Sequence, residues 1–351
     1  MNAKAIFEHL TPVILATVIA LGGVAAFYFL GLPLPWLLGA ILPLLVASRF
    51  EGINLAAPKP LIHPARALLG IAIGGSFTPA IVDSLDKYLL SLVFMIPFLF
   101  ITIVIGKLYY HRVAGFDKTT SIFCALPGGL LEMTLISESH GADVNRVILT
   151  HAARVLLIIY GIPFMIQLFT DIDLSGSFVM PGSSAEFSYS EMILVVTAAM
   201  AGWWLANCLK LSGASIVGPM IACGCLFIGG WVTFKLPGEC INLAQLILGI
   251  RLGLSIKEIS LREMGENFLY GAGLFFILMV VVLSTAYGVH RLVDMPLIAT
   301  FLAFVPGGQA EMNIIAIVVG IHIPYIALHH VTRMFLVIGF APILVKIGTD
   351  K

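Results

Sequence analysis

The chain has 351 residues, of which 60% are hydrophobic and 11% charged, and its mean hydropathy is +1.05. Soluble domains carry about 25% charged residues, so this composition excludes an ordinary soluble globular protein and points to a polytopic membrane protein. Nineteen Lys/Arg balance nineteen Asp/Glu, which leaves no basic surplus for nucleic-acid binding.

The polar opening MNAKAIFEHL leads into an apolar stretch over 12–30. That length matches the roughly 20 residues of a bilayer crossing, and it reads as a first span rather than the core of a cleaved signal peptide. Further apolar segments are expected over 33–48, 62–82, 88–108, 118–137 and 146–170. The Ser/Gly-rich stretch DIDLSGSFVMPGSSAEFSYS, 171–190, then reads as an exposed linker. Six more apolar segments follow, over 191–208, 213–233, 241–256, 267–288, 297–318 and 322–346. The five cysteines form no CxxC pair, and most sit in apolar runs as small hydrophobes.

The two halves are alike. One constant shift along the chain places Gly39 on Gly218, Gly70 on Gly249, Gly74 on Gly253, and His111-Arg112 on His290-Arg291. It also places Gly141 on Gly320 and Pro163 on Pro342. Matching apolar residues could arise from composition alone, but Pro, Gly, His and Arg in one ungapped register imply a tandem duplication. The expected fold is therefore all-α, with about 10–12 transmembrane segments arranged as two repeats, 1–170 and 191–351. An inverted pair is favoured over a parallel pair, because a break in corresponding segments is what inverted-repeat transporters show.

The most closely retained match is ALPGGLLEM (125–133) against FVPGGQAEM (304–312). Pro removes a backbone hydrogen bond and two glycines weaken the following turn, so the fifth segment of each half is expected to be a broken or re-entrant helix. A duplicated membrane protein of this length, with PGG-x-x-EM in each half, resembles the bacterial AbrB family. This is a family of inner-membrane proteins catalogued as ammonia monooxygenases or as regulators of gene expression, distinct from the small DNA-binding regulator of the same name. The resemblance implies a multi-pass protein of the bacterial inner membrane. Both termini are expected to be cytoplasmic. No His cluster has metal-ligand spacing and no GxxxxGK[ST] loop is present, so neither an enzyme, a metal nor a cofactor is expected.

Irregular backbone at membrane depth is tolerated where protein or a water-filled cavity satisfies it. Gly128 and Gly129, with Gly307 and Gly308, would let a ligand approach the start of a new half-helix. Glu132 and Glu311 either carry charge for function or cap that helix end. In each following segment H-x-x-R places His151 with Arg154, and His330 with Arg333, on one helix face. Each Arg is expected to pair with the Glu of a broken helix, its own or the other half's, as a structural ion pair or as a carboxylate clamp. These ten residues are the candidate substrate-binding set.

Other polar positions receive plainer readings. His111-Arg112 and His290-Arg291 read as interface anchors or as charges that set topology, and the G-x-x-x-G pairs Gly70/Gly74 and Gly249/Gly253 read first as helix packing and second as a substrate path. Arg66 and Arg251 have no charged counterpart, facing Gln245 and Ala72 across the shift. Glu138, Asp143 and Arg146 are expected to form a polar loop after the half-helix, solvated, with a gate as the alternative. The function expected is secondary transport of a small organic anion at a central site, with a membrane-embedded sensor or regulator as the alternative. The partners expected are a small-molecule solute, a coupling cation or proton and the lipid bilayer, with a homodimer as a further candidate and no nucleic acid.

Overall fold

The computed structural model describes residues 3–50, 52–128, 130–175, 188–233, 235–255 and 261–349, without the side chains of 3–9, 80, 82–83, 130–132, 135, 261–264 and 341–349. The middle of the expected linker, 176–187, therefore lies outside the described residues. Described elements are all helical. The first half contains α1 (Ala3–Phe29), α2 (Ala40–Ala47, entered through a π-helical turn Pro35–Gly39), α3 (Lys59–Gly74), α4 (Leu85–Val93) and α5 (Met95–Arg112). It continues through α6 (Lys118–Ala125), α7 (Leu130–Ser139) and α8 (Val144–Phe169). The second half contains α9 (Tyr189–Cys208), α10 (Ala214–Ile228), α11 (Gly238–Leu254) and α12 (Leu261–Val293). It ends with α13 (Leu297–Phe304), α14 (Gln309–Val319) and α15 (Ile323–Thr349). The shift that aligns the two halves carries the starts of α3, α6, α7 and α8 onto those of α11, α13, α14 and α15.

Six helical stretches among the described residues are long and apolar enough to cross a bilayer: Leu10–Phe29, Leu85–Arg112, Val144–Phe169, Tyr189–Cys208, Gly265–Val293 and Ile323–Phe340. The other apolar segments are shorter or interrupted. Large apolar side chains such as Val18, Phe100, Met200 and Phe276 stand exposed on these helices, as they would against lipid tails. The protein is a multi-pass membrane protein.

The chain forms two compact units, and each draws on both halves. The first comprises Met1–Pro79, Ile162–Glu258 and Ile317–Val319. Its core has two clusters. Ala16, Ala20 and Val24 of α1 meet Ala40 and Leu44 of α2 and Leu246 and Ile250 of α11. Val195 and Ala199 of α9 meet Cys223, Leu226 and Phe227 of α10 and Ile71 of α3. Positions 16/195, 20/199, 44/223 and 71/250 correspond across the repeat, so each cluster takes its third helix from the opposite half.

Glycines make that exchange possible. A Cβ on Gly70 would lie 2.5 Å from the carbonyl oxygen of Ile216, and one on Gly249 would lie 2.9 Å from that of Leu37. Positions 37 and 216 correspond as well, so both G-x-x-x-G pairs are helix-packing stripes in which backbones touch.

The second unit comprises Ala80–Gly161, Ile259–Ala316 and Gly320–Lys351 and holds both Pro-Gly-Gly segments. α6 packs on α5 and α15, and α13 packs on α12 and α15. The loops are fastened alike in the two halves. His111 Nδ1 donates to the carbonyl of Phe116 at 2.8 Å, and His290 Nδ1 to that of Met295 at 2.6 Å. The His-Arg pairs, read from sequence as interface anchors, thus use their histidines to close the turn into the broken helix.

Candidate functional site

Each broken helix stops for a definable reason. Leu126 follows α6 with φ −60 and ψ 127, and Val305 follows α13 with φ −57 and ψ 127. Both precede a proline, whose ring disfavours α-conformation in the residue before it. The carbonyls at this break lose their helical partners and need other donors. α7 and α14 then run to a left-handed glycine, Gly141 at φ +70 and Gly320 at φ +71, a conformation that side-chain-bearing residues resist.

Buried arginines supply the donors. Arg154 Nη2 donates to the Leu126 carbonyl at 3.2 Å, and Arg333 donates to the Val305 and Gly307 carbonyls. Both side chains are 3% exposed. Neither arginine forms the expected ion pair with Glu311. Ion pairs do form elsewhere among the described residues, as between Lys87 and Asp294 and between Arg146 and Asp143. A guanidinium offers five N–H donors, and carbonyls freed at a helix break accept them as a carboxylate would. The side chain of Glu132 lies outside the described residues.

The glycines and the terminal Glu-Met of the motif pack on one another. A Cβ on Gly128 would stand 2.7 Å from Met133 Cε, and one on Gly307 would stand 2.5 Å from Met312 Sδ. A Cβ on Gly308 would collide with the Glu311 carboxylate. Gly308 is the N-cap of α14, and Glu311 is the third residue inside that helix. This is the position from which Glu folds back over a helix start in a capping box. Glu311 therefore occupies the positive end of α14, the place an anionic ligand would otherwise take. Gly129 lies outside the described residues.

The histidines sit beside the same breaks. His330 Nε2 donates to the Leu302 carbonyl at 2.9 Å, and its Nδ1 has no partner. His151 is buried with its ring toward the carbonyls of Val147 and Leu126, but neither nitrogen closes a hydrogen bond of normal geometry. The two breaks approach each other through α8. Arg154 of α8 holds the first, and Ile158, one turn further on, stands 3.1 Å from where a Cβ on Gly307 would lie in the second. Arg154 also lies close enough to Arg333 for the two positive charges to repel.

Three further groups escaped sequence reasoning. Asn313 is fully buried in α14 with both amide atoms unpartnered, and Gln309 Nε2, one turn earlier, is also buried and unpartnered. Ser91, Tyr325 and His329 are completely buried and hydrogen-bonded together. The available signal was one-sidedness: Thr150 stands where His329 would fall in the first half, and Leu130 where Gln309 would. Of the three residues read as a loop, Glu138 lies in α7 and Arg146 in α8, and Asp143 stands between the two helices. Glu138 is exposed, while Asp143 caps α8 and pairs with Arg146 at 3.2 Å. The Arg146 guanidinium also lies 4.6 Å from the Phe116 ring centroid.

Comparison with known proteins places both helix breaks within a single family match. Residues 36–348 match the family described as transition state regulatory protein AbrB. The chain belongs to the AbrB family. It is 25% identical over 306 residues to "Putative regulator AbrB" of Escherichia coli (strain K12), covering 83% of each chain. It is 23% identical over 336 residues to "Uncharacterized protein YhjN" of Bacillus subtilis (strain 168), covering 89% of this chain and 86% of that one. The AbrB match includes both Pro-Gly-Gly breaks and both buried arginines.

Proposed function

We propose that this AbrB-family membrane protein is a secondary transporter of a small organic anion, with its substrate site at the two helix breaks. The observation that carries this reading is the pair of Pro-Gly-Gly breaks, each held by a buried arginine and linked through α8. Discontinuous helices with half-helix ends at one locus are the usual architecture of substrate sites in secondary transporters. Two buried guanidiniums that repel each other give that locus a positive field, and intramembrane charge of this kind is costly unless it is used. Helix starts that recur at one constant shift support a reading as two repeats, which we take to be inverted in the bacterial inner membrane.

In this reading Glu311 caps α14 while the site is empty and yields that position to the substrate carboxylate. Purified protein in liposomes should accumulate small carboxylates under an imposed pH or cation gradient. Absence of flux for a panel of mono- and dicarboxylates under either gradient would refute the proposal. The printed name of the Escherichia coli relative favours a second reading, a membrane-embedded regulator. Carboxylate binding by the purified protein without flux would support that alternative.

A further inference from the structure

The hydrogen bonds of the Ser91–Tyr325–His329 cluster leave one arrangement of protons. His329 Nδ1 is 2.8 Å from the Tyr325 carbonyl, which can only accept, so Nδ1 carries the proton. In the neutral ring Nε2 is then an acceptor, and Ser91, 2.9 Å away, donates to it. The Ser91 oxygen in turn accepts from the hydroxyl of Tyr325. The chain therefore runs Tyr325 to Ser91 to His329. All three residues are 0% exposed. Ser91 has His329 on one side and the Tyr325 hydroxyl on the other, which leaves no face for an electrophile. The cluster is thus not arranged to attack a substrate, but its hydrogen bonds form a continuous chain of proton donors and acceptors.

We propose that His329 Nε2 is a buried proton-binding site, reached through the Tyr325–Ser91 hydroxyl chain, and that its loading loosens the second helix break. A proton delivered to the Tyr325 oxygen moves the tyrosine's own proton to Ser91 and the serine's proton to Nε2. The products are an imidazolium and two neutral hydroxyls, each now oriented the other way. The new charge sits four residues before Arg333 on α15, the side chain that holds the Val305 and Gly307 carbonyls. Phe304, the last residue of α13, has its ring centroid 5.5 Å from that of His329, so the site also touches the break directly. Among the described residues, the titratable and charged groups facing His329 are Tyr325, His330 and Arg333 on α15, with Tyr88 of α4 packed against Tyr325 at 5.2 Å between ring centroids. No carboxylate is among them, so loading adds net positive charge next to the break. The first half has Thr150 at the corresponding position, so the device acts on one break only.

The proton site stands on this geometry alone, whereas its role in coupling rests on the transport reading above. The test is a titration of full-length protein labelled with 15N-histidine in lipid nanodiscs, from pH 8 to pH 3. Wild type should show a neutral Nδ1–H imidazole that converts to imidazolium and is missing from His329→Gln. Ser91→Ala and Tyr325→Phe should shift its midpoint, and Ser91→Thr, which keeps the hydroxyl, should restore it. A His329 signal that stays neutral to pH 3, or that ignores Ser91→Ala in a folded protein, overturns the proposal. Carboxylate flux in liposomes is read in parallel. A titrating His329 without flux would leave the proton site standing and remove the transport reading. Flux that depends on pH equally in wild type and His329→Gln would remove the coupling role.

Discussion

Arg333 donates to the carbonyl of Val305 just as Arg154, its counterpart in the first half, donates to that of Leu126. Each guanidinium meets a carbonyl that a proline has stranded at the end of a half-helix. Arg333 also serves the Gly307 carbonyl beyond the proline, so it holds two acceptors where Arg154 holds one. A buried acceptor left without its donor costs about 1–3 kcal/mol. Arg333→Ala should therefore destabilise the protein by roughly 3 kcal/mol or more, and Arg154→Ala by about half as much. Arg333→Lys, a point charge without the planar fork, should fall between wild type and Arg333→Ala. Thermal unfolding in detergent would give the order, and equal losses for the two alanine variants would contradict it.

Glu311 separates capping from charge handling. Gln at the third helical position can still fold back over the Gly308 N-cap, so Glu311→Gln should unfold within a few degrees of wild type. Glu311→Ala loses the cap and its favourable charge at the helix start, costing about 0.5–1 kcal/mol. Under the transport proposal Glu311→Gln nevertheless loses or uncouples carboxylate flux, because the displaced side chain no longer carries a charge. Wild-type flux in Glu311→Gln would reduce this residue to a cap.

The glycines divide sharply by what surrounds them. A methyl group on Gly70 would press on the backbone oxygen of Ile216, which cannot move without separating α3 from α10. Overpacking of this kind costs about 1–3 kcal/mol, and Gly70→Ala should lose that much. At Gly22, in the second half of α1, nothing lies within 4 Å of the added carbon. Gly22→Ala should instead gain roughly 0.5–1 kcal/mol from the helix preference of alanine over glycine. Opposite signs in paired melting curves would bear out the packing, and destabilisation by both would not.

The breaks were legible because their causes are local. Pro after Leu126 or Val305, and glycine at positions 141 and 320, act within a few residues of themselves. The constant shift between the halves likewise predicted where α6, α7 and α8 would find counterparts. Partner choice was harder to read. That a third helix packs on the second helix of the other half depends on which backbones can touch between segments far apart in the chain, and the G-x-x-x-G spacing says only that some helix comes close. The acceptors of the arginines were hidden for a related reason. A guanidinium buried in an apolar segment demands acceptors, and sequence alone does not distinguish a carboxylate from the carbonyls a nearby proline sets free. The Ser91–Tyr325–His329 cluster left no mark in the repeat, because its members occur in one half or the other without a counterpart.

Asp117 gives a pH-dependent test at the entrance to the first broken helix. Its carboxylate accepts from the Thr120 N–H at 2.9 Å and so caps α6. Partial burial pushes the Asp117 carboxyl up, but hydrogen bonds from the Thr120 hydroxyl and from the Thr120 and Thr119 backbone outweigh it and hold the group below its ordinary value of 3.8. A carboxyl depressed in the folded state binds protons less readily there than in the unfolded chain. Its contribution is therefore complete above about pH 4 and fades as pH falls through the lowered value. Asn at this position still caps, but it does not titrate. Asp117→Asn should match wild type near neutral pH and show a flatter stability profile below pH 4, whereas Asp117→Ala should lose about 1 kcal/mol at all pH values above that window. Melting temperatures of the three proteins between pH 3 and 7 decide the matter: parallel curves for wild type and Asp117→Asn would mean that the Asp117 charge takes no part in holding α6.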